Sequence, residues 1–192
     1  MQNIEKIIDV IKNTKISLTE NDIFNFLKNR KRFPFRYFNN QPSVEVIDNF
    51  GKHCKFFLND GYIDFNIWKK EYDKGLTSVI SNILDLNEEL RQLEKSLISE
   101  FGNDYLISAN FYFGNNINSN ISFARHNHPM HVFIKQLYGT QQWNVWENDN
   151  DYKTIDCKKD DVIYLKKGQY HQVMKASKRL TLNINFKSKL NG

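Results

Sequence analysis

Residues 123–143 read FARHNHPMHVFIKQLYGTQQW, and residues 160–173 read DDVIYLKKGQYHQV. The first stretch holds three of the chain's five histidines within six positions, then runs into an apolar segment that ends at Gly139. In an extended segment, side chains at i and i+2 point the same way. His126 and His128 are therefore expected on one side, as two ligands of one metal must be. His131 falls out of phase with them. Pro129 cannot donate to a ladder and marks a bend or an edge. His171 ends an apolar strand and a glycine-containing turn, which would bring its side chain back across a barrel. His126, His128 and His171 together predict a metal site. The competing reading is that they are ordinary surface or core histidines.

Working outward, the chain changes character at residue 105. DYLISANFYF, HVFIKQLYG, QQWNVWE, DVIYLKKG, HQVMKA and RLTLNINF are short β-rich segments divided by Gly, Asn, Asp and Lys, the pattern of a sandwich or barrel built from hairpins. Before them, LTSVISNI resembles a short strand. NEELRQLEKSLISEFG (87–102) is a helix with Leu86, Leu90, Leu93, Leu97 and Phe101 on a core-facing stripe, stopped by Gly102. NIEKIIDVIKN, with Ile4, Ile7, Ile8 and Ile11 in register, and TENDIFNFLKNRK, capped by Thr19 or Asn21, predict two N-terminal helices. FNIWKKEYDKG fits helix or strand. We divide the chain into a helical segment, 1–45, and a barrel with its helical lead-in, 46–192. The two are expected to form one structural unit.

With 192 residues, 40% of them hydrophobic, the chain fits one domain with a real core. No apolar run is long enough to span a bilayer, and the N-terminus lacks the apolar core of a signal peptide. Cys54 and Cys157 lie far apart, without ligand spacing. Reduced thiols and a cytoplasmic location are expected. The net charge of +5 is scattered except at KNRKRFPFRYF (28–38), which is basic and aromatic together. That stretch suits an RNA backbone or ribosome surface, or is simply a solvated helix end.

The two histidine stretches resemble the signature motifs of the cupin superfamily. The glutamate usual in the first motif falls on Val132, and the second motif is represented by Asp160, Lys166, Gly168 and His171. A closer resemblance is to its Jumonji-C branch, the ribosomal-oxygenase-like proteins. LEKSLISEFGNDYLISANFYF and HNHPMHVFIKQLYGTQQW follow the order and spacing of that family over roughly residues 70–186. The resemblance implies an α+β, mainly β fold, a double-stranded β-helix (cupin or jelly-roll barrel) preceded by N-terminal helices. It also implies an Fe(II)-dependent dioxygenase that uses 2-oxoglutarate to hydroxylate a protein or peptide side chain.

Carried over by residue, the resemblance makes His126 and His171 metal ligands and puts His128 where the family has a carboxylate. Three neutral imidazoles leave an ion its full double charge. They suit Fe(II) and other divalent metals alike. Asn110 and Tyr112 match the family's co-substrate contacts, and Asn183 falls on the last core strand near another. Gln141 stands where a Lys or Arg usually pairs with the far carboxylate of 2-oxoglutarate. Lys135 should face away from the metal and Arg125 flips out beside His126, so either replaces that cation only across a bulge. Three readings follow: a 2-oxoglutarate oxygenase, with a basic side chain from elsewhere opposite the metal; a three-histidine cupin enzyme independent of 2-oxoglutarate, with a polar pocket and no cation; and a non-catalytic binding module, its space filled by Phe123, Trp143 or Met130. Exposed edge strands of such barrels also suit a homodimer.

Overall fold

The structure is a computed structural model that describes residues 4–29, 44–47, 53–54, 63–115 and 123–189. Its first two helices are α1 (Ile4–Asn13) and α2 (Glu20–Lys28). Ile7 and Ile11 of α1 are fully buried, and Ile4 and Ile8 pack beside them. Thr19 caps α2 through a capping box: its hydroxyl accepts from the Asp22 N–H, and the Asp22 carboxylate accepts from the Thr19 N–H. The segment left open by periodicity is α3 (Phe65–Asp73). Asp64 starts it by accepting from the backbone N–H groups of Asn66 and Ile67. Helix α4 (Glu88–Phe101) buries Leu90, Leu93 and Leu97 as its stripe predicts, and ends at Gly102 with φ +66°.

Among the described residues ten strands follow or intervene: β1 (Val44–Ile47), β2 (His53–Cys54), β3 (Thr77–Ser81), β4 (Tyr105–Asn115), β5 (His131–Tyr138), β6 (Gln141–Trp146), β7 (Tyr152–Cys157), β8 (Val162–Leu165), β9 (His171–Ala176) and β10 (Lys178–Ser188). They form a seven-stranded sheet, β2-β1-β3-β4-β10-β5-β8, and a three-stranded sheet, β7-β6-β9. The architecture is the expected double-stranded β-helix with helices before it.

The large sheet has a different core on each face. Leu180, Leu182, Ile184 and Phe186 of β10 join Phe111, Phe113 and Phe133 against α1–α4. On the other face, Val132 and Ile134 of β5 meet Trp143, Val145, Cys157, Ile163, Leu165 and Val173 between the sheets. Lys135 obeys the same alternation. It points to the helices, where its buried ammonium donates to the carbonyls of Ile11, Lys12 and Thr14 at 2.7–3.1 Å. A cation at the orphan carbonyls of a helix C-terminus is favourably placed, and this one fastens α1 to the barrel.

The chain passes from one sheet to the other at Gly139, between β5 and β6. Its φ is +77°, and an added Cβ would lie 2.0 Å from the Lys178 carbonyl oxygen and 2.9 Å from Ser177 Oγ. Gly139→Ala therefore combines a left-handed backbone with a clash against main chain. We expect it to lower unfolding stability by about 3 kcal/mol, read as a lower urea midpoint at unchanged denaturant slope.

Candidate metal centre and its cavity

His126 and His128 come together, though not by strand alternation. Pro129 ends regular pairing before it starts, and β5 begins only at His131. Instead His126 forms a one-residue bridge to His171, with His126 N–H donating to the His171 carbonyl at 3.1 Å and the reverse bond at 2.9 Å. Two residues on, the Gly168 N–H donates to the His128 carbonyl at 2.8 Å. These three backbone bonds dock the HNH segment onto the turn before β9. The ring centroids then lie 4.4 Å apart for His126 and His171, and 5.0 Å for His128 with each of them. One ligand atom from each ring lies within 4.8 Å of the others, with no carboxylate in the group. His131 stands apart, its Nδ1 2.8 Å from the Tyr164 hydroxyl.

The donor set fits a metal ion. His126 Nδ1 is 2.8 Å from the Ala124 carbonyl, and His171 Nδ1 is 3.0 Å from the Gln169 carbonyl. A carbonyl only accepts, so both Nδ1 atoms carry the proton and both Nε2 atoms keep a lone pair. This is how outer hydrogen bonds fix the tautomer of a ligating histidine. Burial pushes the pKa of His128 down to about 4 and that of His171 to about 3, with the neighbouring imidazoles adding to it. At neutral pH an ion thus has no proton to displace from either ring.

Behind the imidazoles lies a buried cavity, lined also by Tyr112, Phe123, Gln141, Trp143, Val173, Arg179, Thr181 and Asn183. Of the residues matched to co-substrate contacts, Tyr112, Gln141 and Asn183 are there. Asn110 lies two pairs from Tyr112 along β4, opposite Asn183 on β10, and does not line it. Among the described residues, the buried Asn183 Oδ1 has no hydrogen-bond partner. Burial pushes the Tyr112 hydroxyl up to about 12, so it remains a neutral donor.

Sequence reasoning missed Arg179. It is 1% exposed, lines the cavity, and donates from Nη2 to Thr77 Oγ1 at 3.2 Å. Burial lowers its pKa to about 10, and Tyr112 opposes that shift. The guanidinium stays charged at neutral pH. The other two basic candidates lie elsewhere: Lys135 is at α1, and Arg125 sits over the rings of Trp146 and Tyr170, paired with Asp149 at 2.8 Å. A readable signal existed, because Arg179, Thr181 and Asn183 share one parity in RLTLNINF and the leucines the other.

The polar partners of a dicarboxylate are thus present, but the space is not. The cavity measures about 20 Å³, room for one water. Trp143 and Phe123 fill what would otherwise be free, whereas Met130 packs into the core between the sheets. As the side chains stand, 2-oxoglutarate does not fit. Cys157 is a free, buried thiol. The rest of the basic stretch beyond Asn29, and the side chain of Cys54, lie outside the described residues. None of the described helices is long and apolar enough to cross a membrane.

No protein-family model matches the chain, and neither does any curated protein. Solved structures do. The ribosomal oxygenase YcfD from Escherichia coli, in complex with cobalt and 2-oxoglutarate, superposes with a TM-score of 0.61 at 14% identity, over 92% of this chain and 46% of that one. Its complex with cobalt and succinic acid gives the same values. A further structure of E. coli YcfD gives 0.56 at 12% identity, over 92% and 47%. The chain therefore spans about half the length of the enzyme it resembles. At that identity the likeness establishes the fold.

The low pKa of His171 also fixes the sign of an acid response. Its folded-state value, about 3, lies below the ordinary 6.5, so the unfolded chain takes up a proton that the folded chain refuses. Stability is undiminished above pH 6.5 and is lost as pH falls from 6.5 towards 3. We expect urea unfolding of the metal-free protein to show this loss, at no more than about 1.4 kcal/mol per pH unit from this ring. The slope should shrink in His171→Asn.

Proposed function

From a chain with the double-stranded β-helix fold of a ribosomal oxygenase, we propose a metal-dependent oxygenase that hydroxylates a protein or peptide side chain. His126, His128 and His171 hold the metal, Fe(II), through Nε2. Bound iron supplies the oxygen chemistry that protein side chains lack. The chain's own residues do the rest. The Ala124 and Gln169 carbonyls hold two of the rings in their ligating tautomer. Phe123, Trp143 and Val173 keep water from the inner face. Arg179 receives a carboxylate on its guanidinium, a charge-assisted contact that the neutral Gln141 does not offer. Thr181, Asn183 and the Tyr112 hydroxyl complete the polar lining.

The observation that carries the reading is Arg179, a buried cation lining the cavity that the three histidines close. In this reading 2-oxoglutarate is the co-substrate, and it reaches Arg179 only after side chains move. One observation favours the non-catalytic binding module instead: Phe123 and Trp143 fill the space and leave a cavity of about 20 Å³. A second enzymatic reading, a three-histidine cupin enzyme that needs no 2-oxoglutarate, calls for a pocket without a cation, which Arg179 does not give. A cytoplasmic location, a homodimer, and contact with a ribosome or RNA surface through residues 28–38 belong to the same proposal.

Fe(II) loaded under anaerobic conditions and titrated with 2-oxoglutarate separates the two enzymatic readings. The first predicts a saturable visible charge-transfer band, and Arg179→Gln should weaken the apparent affinity at least about tenfold, the size of a lost charged hydrogen bond. Bound iron with no band in the wild-type protein contradicts it and leaves the second. Failure to bind iron contradicts both, and leaves a binding module that retained the barrel.

A further inference from the structure

Trp143 and Gln141 are neighbours at i and i+2 on β6, so both point into the barrel. Both are almost fully buried, at 5% and 4% exposure. The Trp143 indole N–H donates to Gln141 Oε1 at 2.9 Å. On its other side the indole approaches His171, with ring centroids 5.9 Å apart. The β6–β9 register shifts between Gln142 and Trp143, where Gln142 faces Lys175 but Trp143 faces Val173. A bulge re-aims the side chains beside it, and bulges recur next to active sites. Gln141 has a second role. It lines the inner cavity and also an open cleft of about 790 Å³ at the barrel end, formed with Thr140, Cys157, Lys158 and Ser177.

We propose that Trp143 and Gln141 form a latch over Arg179: a carboxylate reaches the guanidinium only when the indole–amide bond opens, and the latch sets which acids the site admits. Closed, it leaves the water-sized cavity. Open, it joins that cavity to the outer cleft and makes room for a dicarboxylate. The amide that replaces the family's cation thus serves as the acceptor of an internal bond, and the cation has moved across the barrel to β10. This inference rests on the reading of Arg179 as a carboxylate anchor.

The test is calorimetric titration of 2-oxoglutarate into the full chain loaded with zinc, which binds in the same donor set and allows no turnover. Trp143→Phe keeps a ring and removes the donor. Gln141→Ala removes the acceptor from the other side, so the test survives if one variant folds poorly. A closed latch lowers apparent affinity by the fraction of open molecules. Losing its hydrogen bond should therefore tighten binding about fivefold in each variant. The gain should vanish when Arg179→Gln is added. Equal affinity in wild type and both variants overturns the latch and leaves the Arg179 reading intact. So does a gain that persists without Arg179, since the ligand then binds elsewhere. No binding in any folded, zinc-loaded protein overturns the Arg179 reading and the latch with it.

Discussion

Strand β10 pairs with β4 along all eleven of its residues and with β5 along most of them, so its two faces decide what lies on either side of the large sheet. Leu180, Leu182, Ile184 and Phe186 turn to the helices, and α1, α2, α3 and α4 assemble on that apolar face. Arg179, Thr181 and Asn183 turn the other way, into the barrel. A one-residue slip would exchange the two sets, placing a guanidinium in the aromatic core and leucines behind the three histidines. Register is therefore strongly specified here. The helices of the first half of the chain indirectly fix the chemistry of the second.

The candidate metal centre depends on a smaller version of the same constraint. His126 and His171 are held by a reciprocal pair of backbone bonds, and His128 by one more from Gly168. Main chain thus sets the spacing of the three rings, and carbonyls two residues upstream set the orientation of two of them. Nothing in that arrangement requires the carboxylate that the ribosomal-oxygenase pattern supplies. The backbone bond at residue 128 would hold with either an imidazole or a carboxylate side chain. Among the described residues no carboxylate joins the three imidazoles, and Arg179 adds a positive charge to the lining of the same cavity. On the proposed reading, an ion held by the histidines and the guanidinium would together favour an anion there.

Much of this was legible in the sequence, for reasons that differ from residue to residue. The Leu90–Leu93–Leu97 stripe and the Thr19 cap are local, and local signals survive folding. The barrel strands are readable from turn residues and alternation, and phase separates His131 from His126 and His128, as its contact with Tyr164 does. Spacing alone predicts a strand at HNH; Pro129 makes it a bridged loop, and the two histidines converge because of their partner rather than their own periodicity. α3 was undecided, because an aromatic segment satisfies both periods until Phe24 and Phe113 show which face is buried. Arg179 was overlooked because family spacing pointed to Gln141 and neighbours such as Lys135 and Arg125. Phe123, Trp143 and Met130 are all candidates in the sequence to fill the space; only side-chain packing decides that Phe123 and Trp143 line it and Met130 does not.

The proposed chemistry requires that three imidazoles hold one ion. Crystals grown with cobalt and measured at its absorption edge would locate it by anomalous difference density. One peak is expected, about 2.1 Å from Nε2 of each of His126, His128 and His171, as first-row metals lie from imidazole nitrogen. A peak bound through Nδ1, one that leaves out His128, or an ion held elsewhere on the chain would contradict it.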